Sequence, residues 1–478
     1  MTFHSDLEIV AVALDRQVTA ARERRTPVLT QRPLADLIGE LHLVRLAREG
    51  GLTGDALRQF TDAYLDNIIN LHQPGYMGHQ VAVPHPSASL GALIDGLTNN
   101  PMAIYEMGPG AAAIEWFVIN WMLEKIGWTP APVEVGHRAD GTFGGGVLTH
   151  GGSLANLSAL IAARSALRPD AWHQGDQGDL AVIAPESNHY SIDRAVGILG
   201  IGTRNIYRVP CDHRGAIRPE TLPRTLARIQ SDGRAPLVLV ANACSTAVGV
   251  YDPLRPIGEF CREHGIWLHV DGAHGAAALL SNEYRHRLDG VELASSLTWD
   301  AHKMMRTPSV CAALLVRDHR AIDSAFSQQA SYLFHDKEQP GFDFLHRAVE
   351  CTKSAMGLKF FMVLAALGEQ GLARYVEHQY RLAAQVHDYL KGLDGIDVAV
   401  TPESNILCLR LPGTDAYQLA LRDAILDHGD FYITSTEFKG RRWLRLVFMN
   451  PETTLDDVKR LVAQIRAIAP LNLESAVR

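Results

Sequence analysis

Between about residues 86 and 375 of this 478-residue chain, short apolar runs of strand length alternate with stretches of helical periodicity. The runs are Leu180 to Ala184, Ile206 to Val209, Leu237 to Ala241, Ile266 to Val270, Ala294 to Thr298 and Ala312 to Val316. A chain that returns to a strand after each helix is accommodated by a mostly parallel sheet with helices on both faces. Ligands collect beyond the carboxyl ends of such strands, which directs attention to Asn242 to Thr246 and to Asp271. Residues 1–85 carry Leu34, Leu37, Ile38, Leu41, Val44 and Leu46, then Phe60, Tyr64, Leu65 and Ile68, at helical spacing. This helical layer, broken at His72-Gln73-Pro74-Gly75, has little to bury itself against and is expected to pack on a second subunit. Residues 376–478 open with a helix, Tyr380 to Leu390. Runs near Val398, Asn405 to Leu411 and Trp443 to Phe448 follow, which reads as a smaller α/β domain. The expected division is therefore 1–85, 86–375 and 376–478.

With 47% hydrophobic and 21% charged residues the chain has ample material for a core. A net charge of −8 creates no field for polyanions, so nucleic acid is not an expected partner. The six cysteines are scattered without a CxxC pair or a zinc-ligand spacing, which reads as reduced thiols and no metal site. Asp6, Glu8 and Asp15 interrupt the start of the chain, unlike a signal peptide. Apolar runs such as Val118 to Leu123 fall short of the roughly 18 residues a membrane span needs. A cytoplasmic location away from membranes is expected.

Asp300-Ala301-His302-Lys303 follows the run Leu293 to Trp299. A lysine amine can hold an aldehyde as a Schiff base. Asp271, ending an apolar strand before the small residues Gly272 and Ala273, can keep a pyridine nitrogen protonated so that a flat ring accepts electrons. Together these residues point to pyridoxal phosphate. Alone, Lys303 beside His302 would read as a surface pair, and Asp271 as an arginine's partner. Gly144 to Ser153 runs into the helical pattern Leu154 to Arg164, where backbone N–H groups and the helix dipole favour a phosphate. The same glycines also suit a flexible loop with Ser153 as its N-cap. His189, after the run Leu180 to Ala184, could stack on a ring or be a solvated loop histidine. Ser245-Thr246 could bind phosphate or the ring edge, or close a turn.

Gly151-Gly152-Ser153-Leu154-Ala155-Asn156-Leu157, His189, Ser245-Thr246, His269-Val270-Asp271-Gly272-Ala273, Asp300-Ala301-His302-Lys303 and Asn450-Pro451 occur in one order. In that order the chain resembles group II pyridoxal phosphate decarboxylases, which act on glutamate, cysteine sulfinate, aromatic amino acids or diaminobutyrate. The resemblance spans roughly residues 60 to 465. It implies the aspartate aminotransferase-like fold (fold type I) and a homodimer with active sites at the subunit interface. It also implies Lys303 as the Schiff-base lysine, Asp271 as the pyridinium partner, His189 and Ala273 on opposite ring faces, Gly152, Ser153 and His302 as phosphate contacts, and Thr246 near the ring. Tyr332 falls where decarboxylating members carry a mobile-loop tyrosine and aldehyde-forming relatives carry phenylalanine. Cys244, Trp299 and Lys353 depart from the family pattern, Lys353 standing where an arginine is usual.

The implied reaction is α-decarboxylation of an L-amino acid to its amine and carbon dioxide, Tyr332 or His189 returning a proton to Cα. For the substrate, Gln80 and the pair Tyr105-Glu106 resemble pocket segments of the glutamate and cysteine sulfinate enzymes, and Arg445 an arginine that contacts a substrate carboxylate. Glutamate or another acidic substrate is expected on that basis. Glu106 could instead hold a diamine's ammonium group, and Arg445 could serve backbone on an edge strand. Aromatic substrates, aldehyde synthesis, transamination and other lyase chemistry on the same fold are the alternatives.

Overall fold

The computed structural model describes residues 2–133, 141–326 and 341–472. The chain forms two compact units: Met1–His79 with Arg381–Thr401 and Asn405–Arg478, and Gln80–Tyr380 with Pro402–Ser404. The layout expected from sequence differs in one respect. The N-terminal helices share a unit with the C-terminal segment instead of forming a region of their own.

The larger unit is built on a seven-stranded sheet of β1 (Gly145–Thr149), β2 (Leu180–Pro185), β3 (Ile206–Val209), β4 (Ala235–Asn242), β5 (Trp267–Asp271), β6 (Ser296–Asp300) and β7 (Ala312–Val316). The spatial order is β1-β7-β6-β5-β4-β2-β3. Only β7 runs against its neighbours, pairing antiparallel with β1 and β6. Each expected run is a strand, within a residue or two. β1 is the exception: its glycines read from sequence as the start of a loop, but Gly145 and Gly146 lie inside the strand. The reason is close packing. A Cβ on Gly146 would lie 2.6 Å from the Leu314 carbonyl oxygen, and one on Gly145 would lie 2.9 Å from the His319 Cβ. The helix Gly152–Leu167 buries Ala155, Ala159, Ala162 and Ala163. Small residues let it approach strands whose Val, Ile and Leu side chains each contribute about 1.5–3 kcal/mol by leaving water.

The smaller unit carries the four-stranded order β10-β11-β9-β8 of β8 (Asp397–Val398), β9 (Ile406–Arg410), β10 (Thr434–Phe438) and β11 (Arg441–Val447). Leu407, Leu409, Leu421, Ile425, Leu444 and Leu446 form part of its core. Its N-terminal residues are tied to it by polar contacts. The Val28 N–H donates to the Gly429 carbonyl at 2.8 Å, and Arg24 pairs with buried Asp457 at 2.8 Å. The segment Met356–Lys391, broken at Gly368 (φ 63°), is long and apolar enough by length and composition to cross a membrane. Core helices share that property, and Phe360, Val363, Leu372 and Val376 on it are buried.

Candidate active site

The parallel register places Asn242 beside Asp271 and Asp271 beside Thr298, so polar residues gather at one end of the sheet. Alternation then sorts them by face. His269 and Asp271 on β5 share one face, as do Ser296, Thr298 and Asp300 on β6, while Trp299 points the other way. Trp299 is fully buried, 6.1 Å from the Trp121 ring, which explains why an unusual residue is tolerated beside the lysine motif.

The helix Gly152–Leu167 starts over this face and presents Gly152 and Asn156 one turn apart. A Cβ on Gly152 would come within 2.8 Å of Asp300 Oδ1, so glycine is what lets the carboxylate sit beneath the helix start. No side chain caps this helix, and Gly151, at φ 106°, turns the chain sharply into it. The first amides of the helix are thus the donors an anion would use. Asp300 Oδ2 lies 3.0 Å from Lys303 Nζ, whose side chain is one-fifth exposed. Burial disfavours the lysine's charged form, but the Asp300 and Asp271 carboxylates outweigh it and hold the amine above its ordinary pKa. Among the described residues, none donates a hydrogen bond to buried Asp300 Oδ1. Such an atom is ordinarily found where a ligand, an ion or a water completes the set.

Asp271 Oδ2 accepts from Asn156 Nδ2 at 3.0 Å and Oδ1 from the Ala273 N–H at 3.3 Å. Among the described residues, no salt bridge to Asp271 adds to those contacts. His189 is half-buried at the N-cap of the helix Tyr190–Ile198, its Nδ1 accepting from the Ser191 N–H at 3.3 Å. Burial pushes its pKa down, and Asp271, Lys303, Asp300 and Arg194 all act on it electrostatically. His302 Nδ1 lies 2.8 Å from the Cys311 carbonyl oxygen, and Nε2 is 3.7 Å from Asp300. Ser245 closes a turn, its hydroxyl accepting from the Val250 N–H at 3.2 Å, and Thr246 next to it is half-buried.

Lys303, Asp271, His189, Gly152, Ser153, Ala273, His302 and Thr246 therefore all belong to the larger unit, on the polar end of its sheet. Gln80 is half-buried in the same unit, two residues before Ala82, whose N–H donates to the His302 carbonyl at 3.3 Å. Glu106 is exposed on the turn Tyr105–Met107. Arg445 belongs to the smaller unit, buried on β11, with Nη1 3.4 Å from the Gly78 carbonyl oxygen. β11 pairs on both sides, so Arg445 is not on an edge strand. Tyr332 lies outside the described residues. Sequence reasoning gave no role to Asp300, Asn156 or Ser191. For Asn156 the available signal was its place one helical turn after Gly152.

Lys353, the departure from arginine, is 4% exposed and paired with Glu115, itself fully buried. Lys353 Nζ also donates to the Leu148 carbonyl at 2.8 Å, and Glu115 accepts from the Leu148 N–H at 2.9 Å. The pair clamps both backbone groups of Leu148, three residues before Gly151.

A family profile described as "Pyridoxal-dependent decarboxylase conserved domain" matches residues 73–412. The chain belongs to that family. L-2,4-diaminobutyrate decarboxylase of Acinetobacter baumannii is 26% identical over 447 residues, covering 88% of this chain and 85% of that protein. Human cysteine sulfinic acid decarboxylase is 31% identical over 363 residues, 74% of this chain and 71% of its own. The crystal structure of mouse CSAD superposes with a TM-score of 0.87 at 25% identity, covering 98% of both chains. As the sequence led one to expect, this is a fold type I decarboxylase of amino acids whose cofactor is pyridoxal phosphate. The residues present fit that group: an amine at Lys303, a carboxylate at Asp271, and an uncapped helix start at Gly152.

Proposed function

We propose that this enzyme decarboxylates a small L-amino acid with a charged side chain, an acidic one first, at a site built on Lys303. The observation that carries the site is the convergence of Lys303, Asp300, Asp271 and His189 beneath an uncapped helix. Pyridoxal phosphate supplies a ring that accepts electrons from the substrate Cα as its carboxylate leaves. Lys303 would hold the aldehyde, and its Nζ proton has Asp300 Oδ2 as the nearest base, 3.0 Å away. Asp271 would face the ring nitrogen, His189 and Ala273 would flank the ring, and Gly152, Ser153 and His302 would take the phosphate, with Thr246 at the ring edge. The residues that bind the substrate would choose the reaction by how they orient it, since orientation decides between decarboxylation and transamination.

An acidic substrate is supported by the likeness to human cysteine sulfinic acid decarboxylase and by the resemblance of Gln80 and Arg445 in sequence to pocket residues of the acidic-substrate enzymes, an arginine being able to grip a carboxylate with two hydrogen bonds. The diamino reading rests on exposed Glu106 and on the Acinetobacter baumannii relative. Release of carbon dioxide from every L-amino acid, with diamino and sulfinic acids included, decides between them. Turnover of aspartate, glutamate or cysteine sulfinate supports the acidic reading. Turnover confined to 2,4-diaminobutyrate or an aromatic amino acid overturns it.

Tyr332 is proposed to return the proton to Cα. Tyr332→Phe is then expected to keep cofactor binding while shifting product from amine toward aldehyde. Amine, aldehyde and peroxide measured together check this, and unchanged ratios remove Tyr332 from the reaction. A cytoplasmic homodimer is also proposed. The dimer is supported by the helices Leu34–Glu40 and Leu43–Glu49, which bury none of their residues, and by exposed Leu90 and Leu97 on the helix Pro86–Thr98.

A further inference from the structure

The hydrogen bonds that hold Asp271 continue past it, and their direction follows from the groups that can only accept or only donate. An ionised carboxylate only accepts, so the Asn156 atom 3.0 Å from Asp271 Oδ2 must be the amide nitrogen. The amide oxygen then faces the other way, accepting from the Thr298 hydroxyl at 2.7 Å and from His269 Nε2 at 3.0 Å. That makes His269 the Nε2–H tautomer. Its Nδ1 is left to accept from Ser296 Oγ at 2.8 Å, which in turn accepts from the Trp267 indole at 2.8 Å. Asn156 uses all four of its hydrogen-bonding positions, and the groups around it are buried.

The second proton of the Asn156 amide goes to Ser191 Oγ at 2.9 Å. The backbone N–H of Ser191, which can only donate, points at His189 Nδ1 at 3.3 Å, and the Ser191 hydroxyl, 2.8 Å from the same nitrogen, is placed to donate to it as well. Two donors converge on one ring nitrogen. A proton on Nδ1 would face both of them, so Nδ1 is an acceptor and the imidazole proton sits on Nε2. We infer that Asn156 and Ser191 are positioning residues that lock His189 as the neutral imidazole with its proton on Nε2, a lock keyed to the negative charge of Asp271. The inference deepens the site proposed above and rests on that reading only for what His189 faces.

Two consequences follow. His189 presents a fixed N–H donor and is not a reservoir of an exchangeable second proton, which leaves the protonation of Cα to Tyr332. The groups facing His189 are Asp271 from β5, Asp300 and Lys303 from the end of β6, and Arg194 and the Tyr190 ring from its own helix. The direction of its titration agrees with the lock, since burial already disfavours the charged ring.

Nitrogen-15 spectra of histidine-labelled full-length enzyme, with and without pyridoxal phosphate, test this, His189 being assigned by its loss in His189→Asn. The expected result is a protonated Nε2 and an accepting Nδ1. In Ser191→Ala both tautomers are expected and the midpoint moves up, whereas Ser191→Thr, which keeps the hydroxyl, is expected to match the parent. A proton on Nδ1 in the parent overturns the inference, as does a Ser191→Ala spectrum and midpoint identical to it. Borohydride reduction of the same samples separates this from the site reading. Absence of a cofactor adduct on Lys303 overturns the site reading and leaves the tautomer result standing, while an adduct together with Nδ1–H overturns the lock alone.

Discussion

Lys303→Ala is expected to abolish the cofactor adduct that borohydride traps in the parent enzyme and to lower kcat by roughly a thousandfold or more, the scale on which a positioned acid or base acts. The substitution has a second effect, because Lys303 also neutralises Asp300, whose side chain is 1% exposed. Removing the cation leaves a buried carboxylate with only the His302 ring beside it, 3.7 Å away, at a cost of up to about 3–5 kcal/mol. A drop in activity from Lys303→Ala would therefore mix lost chemistry with lost stability. Lys303→Arg separates them. A guanidinium stays charged and can meet Asp300, but it does not condense with an aldehyde. Lys303→Arg should unfold close to the parent midpoint yet give no adduct and no amine. Peptide mapping is the check: an adduct that persists in either variant would move the anchor to another lysine.

How far the site could be read from sequence depended on whether its signal was local. β4, β5 and β6 are apolar runs ending in Asn242, Asp271 and Asp300, and the rule that ligands sit at carboxyl ends found Asp271 directly. β10 escaped because Thr434-Ser435-Thr436-Glu437-Phe438 has no apolar run; antiparallel pairing with β11 makes it a strand. β1 escaped for the opposite reason. Its glycines look like a loop, and the neighbouring Leu314 carbonyl and His319 side chain, distant in sequence, explain them. Asn156 takes its meaning from four partners on three other segments, so a local motif assigns it no role. The division into units was hidden for the same reason: contacts such as Arg24 to Asp457 join opposite ends of the chain.

Lys353→Met is expected to destabilise the enzyme by about 3–5 kcal/mol, because it strands the Glu115 charge in the core. The location makes this more than a packing defect. Glu115 and Lys353 hold the N–H and carbonyl of Leu148, and the chain leaves β1 one residue later on its way to Gly151 and the uncapped helix start. A loosened Leu148 should weaken pyridoxal phosphate binding as well as folding. Urea unfolding with and without cofactor measures both effects, since the stabilisation that cofactor adds reports its affinity. The double variant Lys353→Met with Glu115→Gln removes both charges, and replacing a buried pair is often close to neutral. It should recover most of the folding loss but not the cofactor affinity, because Leu148 still lacks the lysine donor at its carbonyl. A Lys353→Met change below about 1 kcal/mol would mean that the pair contributes little more than an exposed one. Recovery of both quantities in the double variant would mean that the charges matter only to each other. Their hold on Leu148 would then play no part in shaping the phosphate end of the site.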